Sequence, residues 1–441
     1  MINHKIQKAP SLRRNVFSGM FFAVGNILIL LVSYPIYLKY LGIERYGVWA
    51  ILSVVVSFSA LARLGIDTAI IKYVAEEYGR KNKLGIKKYL STAIITLIIP
   101  GILIFFVLVP LKGFIVGVLN IPEKYISIAN ALLPYIVILS ISIFFVQIID
   151  GTLRGLGRVD LANYYNLGGR AVSVITAFIL LNFGYGLWSL FWGQVIFYTL
   201  LGILAFFTIY KELGYLFFSI YSFDLKCLKK MLGFGGTMTV ASLASIFMIP
   251  FNKVIISKYI GFSEVTYFEI ATKGAMQLRS IFEVGIRAIM PEISKLSVAT
   301  EGAKDKINNV LKKAMGLVSY LGIPVFILFF FLASFLLRLW LSSQYMPEIG
   351  NAFRIILIGT VANLLTIPIY YLFMGIGKVS YCCINHLVQS VLNVIIIIIL
   401  IILGITNFYL FVGVYSLSIA LSAILLAILL LIYKKGTFQK I

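Results

Sequence analysis

Long apolar runs separated by short, cation-rich polar intervals organise the whole chain. Runs long enough to cross a bilayer as helices, about 20 residues each, fall at 15–39, 46–73, 89–112, 126–150, 161–182, 185–210, 231–258, 264–290, 311–338, 349–374, 379–403 and 408–433. The pattern predicts an all-α polytopic membrane protein with 12 transmembrane helices. The first run is too long for a signal-peptide core and lacks a cleavage site, so it is read as a retained first helix.

The polar intervals fix an expected orientation, because lysine and arginine collect on the cytoplasmic side. Of the 38 cations, 24 fall on the side of the N-terminus (Lys5, Lys8, Arg13, Arg14) and 6 on the other, the rest lying within helices. Both termini are therefore expected in the cytoplasm, in a multi-pass protein of the cell membrane. The same asymmetry accounts for the net charge of +22: a basic face against anionic lipid, with no nucleic-acid partner required. Composition agrees, at 61% hydrophobic and 12% charged residues. Cys227, Cys382 and Cys383 supply neither a disulfide framework nor a metal site.

The chain also repeats itself. Lys39-Tyr40-Leu41-Gly42 recurs as Lys258-Tyr259-Ile260-Gly261, and Gly155-Leu156-Gly157-Arg158-Val159 as Gly375-Ile376-Gly377-Lys378-Val379. Leu64-Gly65-Ile66 matches Val284-Gly285-Ile286, Pro122-Glu123 matches Pro347-Glu348, and Gly184 matches Gly404, all in the same order near an offset of 220. This predicts an N-terminal six-helix lobe (1–210), a cytoplasmic connector (211–230) and a C-terminal six-helix lobe (231–441). An even number of spans per lobe gives a pseudo-twofold axis along the membrane normal. The connector (Tyr215, Phe217, Phe218, Tyr221 with Lys226, Lys229, Lys230) reads as amphipathic.

One segment breaks the apolar pattern. Lys253, Lys258, Glu264, Glu269, Lys273, Arg279, Glu283 and Arg287 crowd 253–287. A charge at a helix centre costs about 2.5–3.5 kcal/mol on insertion scales. Five of these charges, from Glu269 to Arg287, share roughly 120° of one helix face, which predicts a water-filled cavity lined by that face. The repeat places Arg63 and Asp67 at the positions of Glu283 and Arg287. They could pair across the lobes as a gate, or locally, at i,i+4, within each helix.

Arg63, Lys253, Lys273, Arg279 and Arg287 are candidate substrate-binding cations, and their surplus favours an anionic group such as phosphate. Asp67, Glu269 and Glu283 are candidate gate or ion-coupling carboxylates, with H+ or Na+ as the coupling ion; no other cofactor is called for. Asn26, Gln147, Asn166, Gln194, Asn252, Gln277, Asn363, Asn385, His386 and Asn393 could bind sugar hydroxyls or bond helix to helix. Asp150, Arg154, Arg158 and Asp160 read as a solvated cytoplasmic cap.

The stretch Tyr34-Pro35-Ile36-Tyr37-Leu38-Lys39-Tyr40-Leu41-Gly42-Ile43-Glu44-Arg45-Tyr46-Gly47-Val48-Trp49, with Leu64-Gly65-Ile66-Asp67 beyond it, resembles the polysaccharide exporters of the multidrug/oligosaccharidyl-lipid/polysaccharide (MOP) superfamily. Among these it is most similar to Wzx-type flippases. The resemblance implies a MATE-like fold and alternating access, moving undecaprenyl-pyrophosphate-linked oligosaccharide repeat units for O-antigen, capsule or exopolysaccharide. The sugar–pyrophosphate head group would occupy the cationic cavity and the lipid tail the bilayer, with a polymerase and a chain-length regulator as partners. Competing readings are a multidrug exporter, which would favour cationic cargo, and a lipid II-type flippase, commonly of 14 helices. An enzyme such as a glycosyltransferase or polymerase is disfavoured because the external loops are short and lack an acidic cluster. No nucleotide-binding Gly-rich Lys-Ser/Thr motif is present.

Overall fold

A computed structural model describes residues 12–214, 218–287, 293 and 303–438, with the side chains of 12–13, 16, 237–246, 303–304 and 435–438 excepted. Lys5, Lys8, Tyr215, Phe217, Lys295, Lys440 and the end of the eighth predicted span (288–290) lie outside these residues. Every regular element among the described residues is helical. The chain divides into two compact units, Met1–Val240 and Ala241–Ile441.

The first unit contains α1 (Leu12–Ser59), α2 (Ile66–Gly79), α3 (Lys83–Leu108), a short α4 (Lys112–Val118), α5 (Glu123–Gly155), α6 (Val159–Asn182), α7 (Leu187–Leu213) and the start of α8 (Leu225–Tyr259). The rest of α8 belongs to the second unit. There it is followed by α9 (Phe262–Arg287), α10 (Ala303–Leu317), α11 (Ile323–Leu341), α12 (Pro347–Gly375), α13 (Val379–Ile402) and α14 (Phe408–Phe438). A π-helical turn, Val318–Gly322, joins α10 to α11.

Nine helices among the described residues are long and apolar enough to cross a membrane, against the twelve expected spans. Three of those spans account for the difference. The first two are fused in α1, where Gly42 (φ 74, ψ 167) turns the chain without a loop. Tyr46 then folds back against Tyr34 and Tyr37, with ring centroids 5.6 and 6.3 Å apart. Part of the sequence motif therefore builds a kink, since a positive φ favours glycine. The second predicted span, 46–73, is itself interrupted by left-handed Leu64 and Gly65 before α2. The remaining two are α8, whose middle side chains are among those excepted, and α9, whose charges dilute its apolar face.

In each unit one helix is central. α5 packs against α1, α2, α3 and α7, and α12 packs against α9, α11 and α14. These two are also the most buried of the spans, with 50% and 61% of their apolar windows inside the protein.

The repeat is visible in backbone geometry. After α5, Gly157 (φ 82) accepts the left-handed conformation, and the N–H groups of 156, 157 and 158 donate to the carbonyls of 152, 154 and 153. After α12, Gly377 (φ 74) does the same, with 376, 377 and 378 donating to 372, 374 and 373. Arg158 and Lys378 then open α6 and α13 at nearly identical dihedrals, −88°, 48° and −89°, 49°. Both helices have 24 residues and end in turns with glycine at positive φ, Gly184 and Gly404.

The expected solvated cap at 150–160 is instead a buried ion network. Asp160 is fully buried, bound to Arg14 at 2.9 Å and to Arg158 at 3.6 Å. Asp150 pairs with Arg154 at 2.7 Å, and Arg158 reaches Glu212. The turn is covered because α1 and α7 close over it, and a carboxylate buried that deeply needs its cations.

A β-carbon at positive φ costs roughly 1–2 kcal/mol. Gly157→Val and Gly377→Val are each expected to destabilise the protein by about that amount, read as a lowered midpoint of thermal unfolding in detergent. An unchanged midpoint for either would contradict the shared turn geometry.

Candidate functional site: a polar cavity in the second unit

A 26-residue helix carrying six ionised groups must satisfy them where hydrocarbon cannot. α9 does this in two ways. Near its start, Glu269 meets Lys253 of α8 at 2.7 Å, both more than nine-tenths buried. The two charges neutralise each other within the protein. Lys273, one turn on, is exposed.

Toward the end of α9 the charges open into a cavity of about 420 Å³. Arg279 and Arg287 each approach the carboxylate of Glu283 at 3.3 Å, from one turn before and one turn after. The Tyr371 hydroxyl of α12 donates to the same carboxylate at 2.8 Å, and Arg287 Nε donates to that hydroxyl at 3.1 Å. One anion thus holds two cations and a phenol, with one positive charge left over. Arg287 remains 66% exposed, so its guanidinium is open to a ligand.

Among the described residues the opposite wall is uncharged. Asn363, Thr366, Tyr370 and Tyr371 project from α12, and Asn385 and His386 from α13. His386 sits edge-on to Tyr370 at 5.6 Å. Asn385 Oδ1, His386 Nδ1 and Arg279 Nε are buried with no hydrogen-bond partner among the described residues. Unsatisfied buried polar atoms are rare, and three of them belong to the lining of this one cavity.

A family model described as "Polysaccharide biosynthesis protein" matches residues 39–349. The chain belongs to that family. A curated relative, the "Putative O-antigen transporter" of Shigella flexneri, is 23% identical over 386 residues, covering 86% of this chain and 89% of the relative. Among solved structures, an inward-facing multidrug resistance MATE transporter of the MOP superfamily superposes with a TM-score of 0.73 at 15% identity, over 90% of this chain and 92% of that one. The lipid II flippase MurJ, in an inward closed conformation, gives 0.72 at 17% identity, over 93% and 87%. This polysaccharide biosynthesis protein is therefore a multi-pass membrane protein with a MOP-superfamily fold, and these relatives are transporters and flippases rather than enzymes.

Within this family member, the predicted charges fall into separate groups. Arg279, Glu283 and Arg287 are together in the cavity, while Lys253 and Glu269 neutralise each other. Arg63 and Asp67 pair at 2.7 Å inside the first unit. In both units, then, the local i,i+4 pairing is formed. Of the polar residues, Asn252 and Asn393 bond helix to helix at 2.8 Å, Asn166 binds Asp150 at 3.0 Å, and Asn363, Asn385 and His386 face the cavity.

Two residues escaped the sequence reading. Tyr371 gave no signal, being one of 26 tyrosines. Arg170 could have been found as a lone charge in the apolar run 161–182. It lies over the Phe197 ring at 5.4 Å, and no carboxylate is within ion-pairing distance among the described residues.

Removing one member of a buried pair costs about 3–5 kcal/mol because the other charge is stranded. Lys253→Met is expected to lower thermal stability by that order, and Lys253→Met with Glu269→Leu to recover most of the loss. A double variant no more stable than the single one would contradict a purely structural pair.

Proposed function

We propose that this protein is a flippase that carries undecaprenyl-pyrophosphate-linked oligosaccharide repeat units from the cytoplasmic to the outer leaflet by alternating access, for surface-polysaccharide synthesis. The observation that carries the reading is the cavity with two arginines around one carboxylate, in a member of a polysaccharide biosynthesis family. The names of the O-antigen transporter and of the lipid II flippase support a lipid-linked saccharide as cargo. Both termini are assigned to the cytoplasm from the distribution of lysine and arginine.

Glu283 holds Arg279 and Arg287 poised in the absence of cargo. A diphosphate brings more charge and more acceptor oxygens than a carboxylate, and a guanidinium binds it in a bidentate fork. It therefore displaces Glu283 as the partner of the arginines, and Tyr371 supplies a further donor. Asn363, Thr366, Asn385 and His386 are suited to sugar hydroxyls, because a site built of buried donors and acceptors rewards a ligand that satisfies them. The lipid tail stays in the bilayer. Asp67, Glu269 and Glu283 are the candidate carboxylates for coupling to H+ or Na+. Glu283 alone of the three lines this cavity and would be released as cargo enters. A polymerase and a chain-length regulator would receive the flipped unit.

Arg279→Ala or Arg287→Ala is expected to reduce surface polysaccharide at least tenfold, the scale of losing one charged hydrogen bond of about 1.5–3 kcal/mol, at unchanged protein level in the membrane. The lysine variants should retain part of the activity, keeping the charge without the fork. Normal polysaccharide from both alanine variants would refute a diphosphate-binding role.

A further inference from the structure

Residues 219–225 expose apolar side chains on a backbone tied to α3. Ile220, Tyr221, Phe223 and Leu225 are 70%, 100%, 39% and 62% exposed. They are not loosely held. Ile220–Ser222 form a 3-10 turn. The Ser219 N–H donates to Ser91 Oγ and the Asp224 N–H to Thr92 Oγ1, both at 3.0 Å, and Asp224 pairs with Lys88 at 3.3 Å. Three links to α3 thus present an apolar surface outward, where a soluble loop would turn it in.

α3 gives the depth of this surface. Its first turns carry Lys83, Lys87 and Lys88, and no charge follows until Lys112, beyond its end. Ser91 and Thr92 lie about 12 Å along the helix from Lys83. The segment is therefore tied to α3 where charge gives way to hydrocarbon-compatible sequence, the level of the head-group boundary.

Lysines stand beside it. Lys88, Lys226, Lys229 and Lys230 are exposed. The nearby anion, Asp224, is already committed: its carboxylate accepts from the Lys226 N–H at 2.8 Å and binds Lys88. That backbone bond, seconded by Lys88, holds the Asp224 carboxyl below its usual range. The surface offers aromatic and aliphatic side chains at one level and, beside them, Lys226, Lys229 and Lys230, which have no ion pair among the described residues.

We propose that residues 219–230 form an anchor for anionic phospholipid, with Ile220, Tyr221, Phe223 and Leu225 set below the head groups and Lys226, Lys229 and Lys230 on the phosphates. Each lysine near an anionic surface contributes on the order of 1 kcal/mol, and tyrosine favours this interface because one end is apolar and the other wet. The anchor joins the two halves of the sequence and would hold the start of α8 at a set depth. It is independent of what the protein carries.

The test places a nitroxide at Tyr221→Cys, with Cys227, Cys382 and Cys383 replaced by alanine, in nanodiscs of phosphatidylglycerol or phosphatidylcholine. In phosphatidylglycerol the label should be severalfold more accessible to oxygen than to a water-soluble nickel complex. Phosphatidylcholine, or Lys226→Gln with Lys229→Gln and Lys230→Gln, should raise nickel access severalfold. Equal nickel access in both lipids would overturn the proposal. So would shielding from both reagents, which marks a protein partner, or restoration by inorganic phosphate in phosphatidylcholine. The otherwise native chain gives a second reading: phosphatidylglycerol should raise its thermal midpoint above that in phosphatidylcholine, and the triple lysine variant should lose this difference. An undiminished difference would equally refute the anchor.

Discussion

A carboxylate shared by two guanidiniums and a phenol sets the terms for the second unit. Glu283, Arg279 and Arg287 sit on an apolar-flanked helix, where isolated charges would oppose insertion. Grouped at i,i+4 spacing and met by Tyr371 from the central α12, they neutralise one another down to a single positive charge and enclose polar space. The charged end of α9 is accommodated because α12 brings Tyr371 to Glu283 and Arg287, while polar side chains of α12 and α13 line the same cavity. The cavity and the stability of the helix are one arrangement, and anion binding draws on the charge left over from it.

The duplicated scaffold shows how that arrangement diverged. Identical turns follow α5 and α12, yet the positions they support differ in chemistry. At an offset of 220, Glu283 and Arg287 correspond to Arg63 and Asp67, so the order of charge is inverted between the units. Tyr370 and His386 correspond to Asp150 and Asn166, and both pairs are in contact, one through rings 5.6 Å apart and the other through a 3.0 Å hydrogen bond. Backbone geometry was kept where a glycine or a helix start requires it, and side chains were exchanged where only a neighbour must be satisfied.

Hydropathy made the helices legible, and the repeat made their grouping an expectation, because both are properties of periodic sequence. Gly42 belongs to both the motif and the repeat, but a single glycine does not announce that two spans fuse into one kinked helix. The charged face of α9 was legible as a face. What the sequence did not carry was the partition of that face, since whether Glu269 is silent or available depends on Lys253 reaching it from another helix. Asp160 looks solvated in the sequence for the same reason: its burial is created by α1 and α7, remote in sequence. Tyr371 was invisible because a phenol declares its role only through the carboxylate it meets.

The most direct test of a wet, polar cavity inside the second unit is cysteine accessibility in the intact membrane, on a background lacking native cysteines. Cysteines at Asn363, Thr366, Met374 and Asn385, which line the cavity, should react with a hydrophilic thiol reagent. Cysteines at the buried neighbours Leu364, Ile369 and Leu372 should not. Uniform protection along α12, or labelling of the cavity positions only by a lipid-dissolved reagent, would contradict the account.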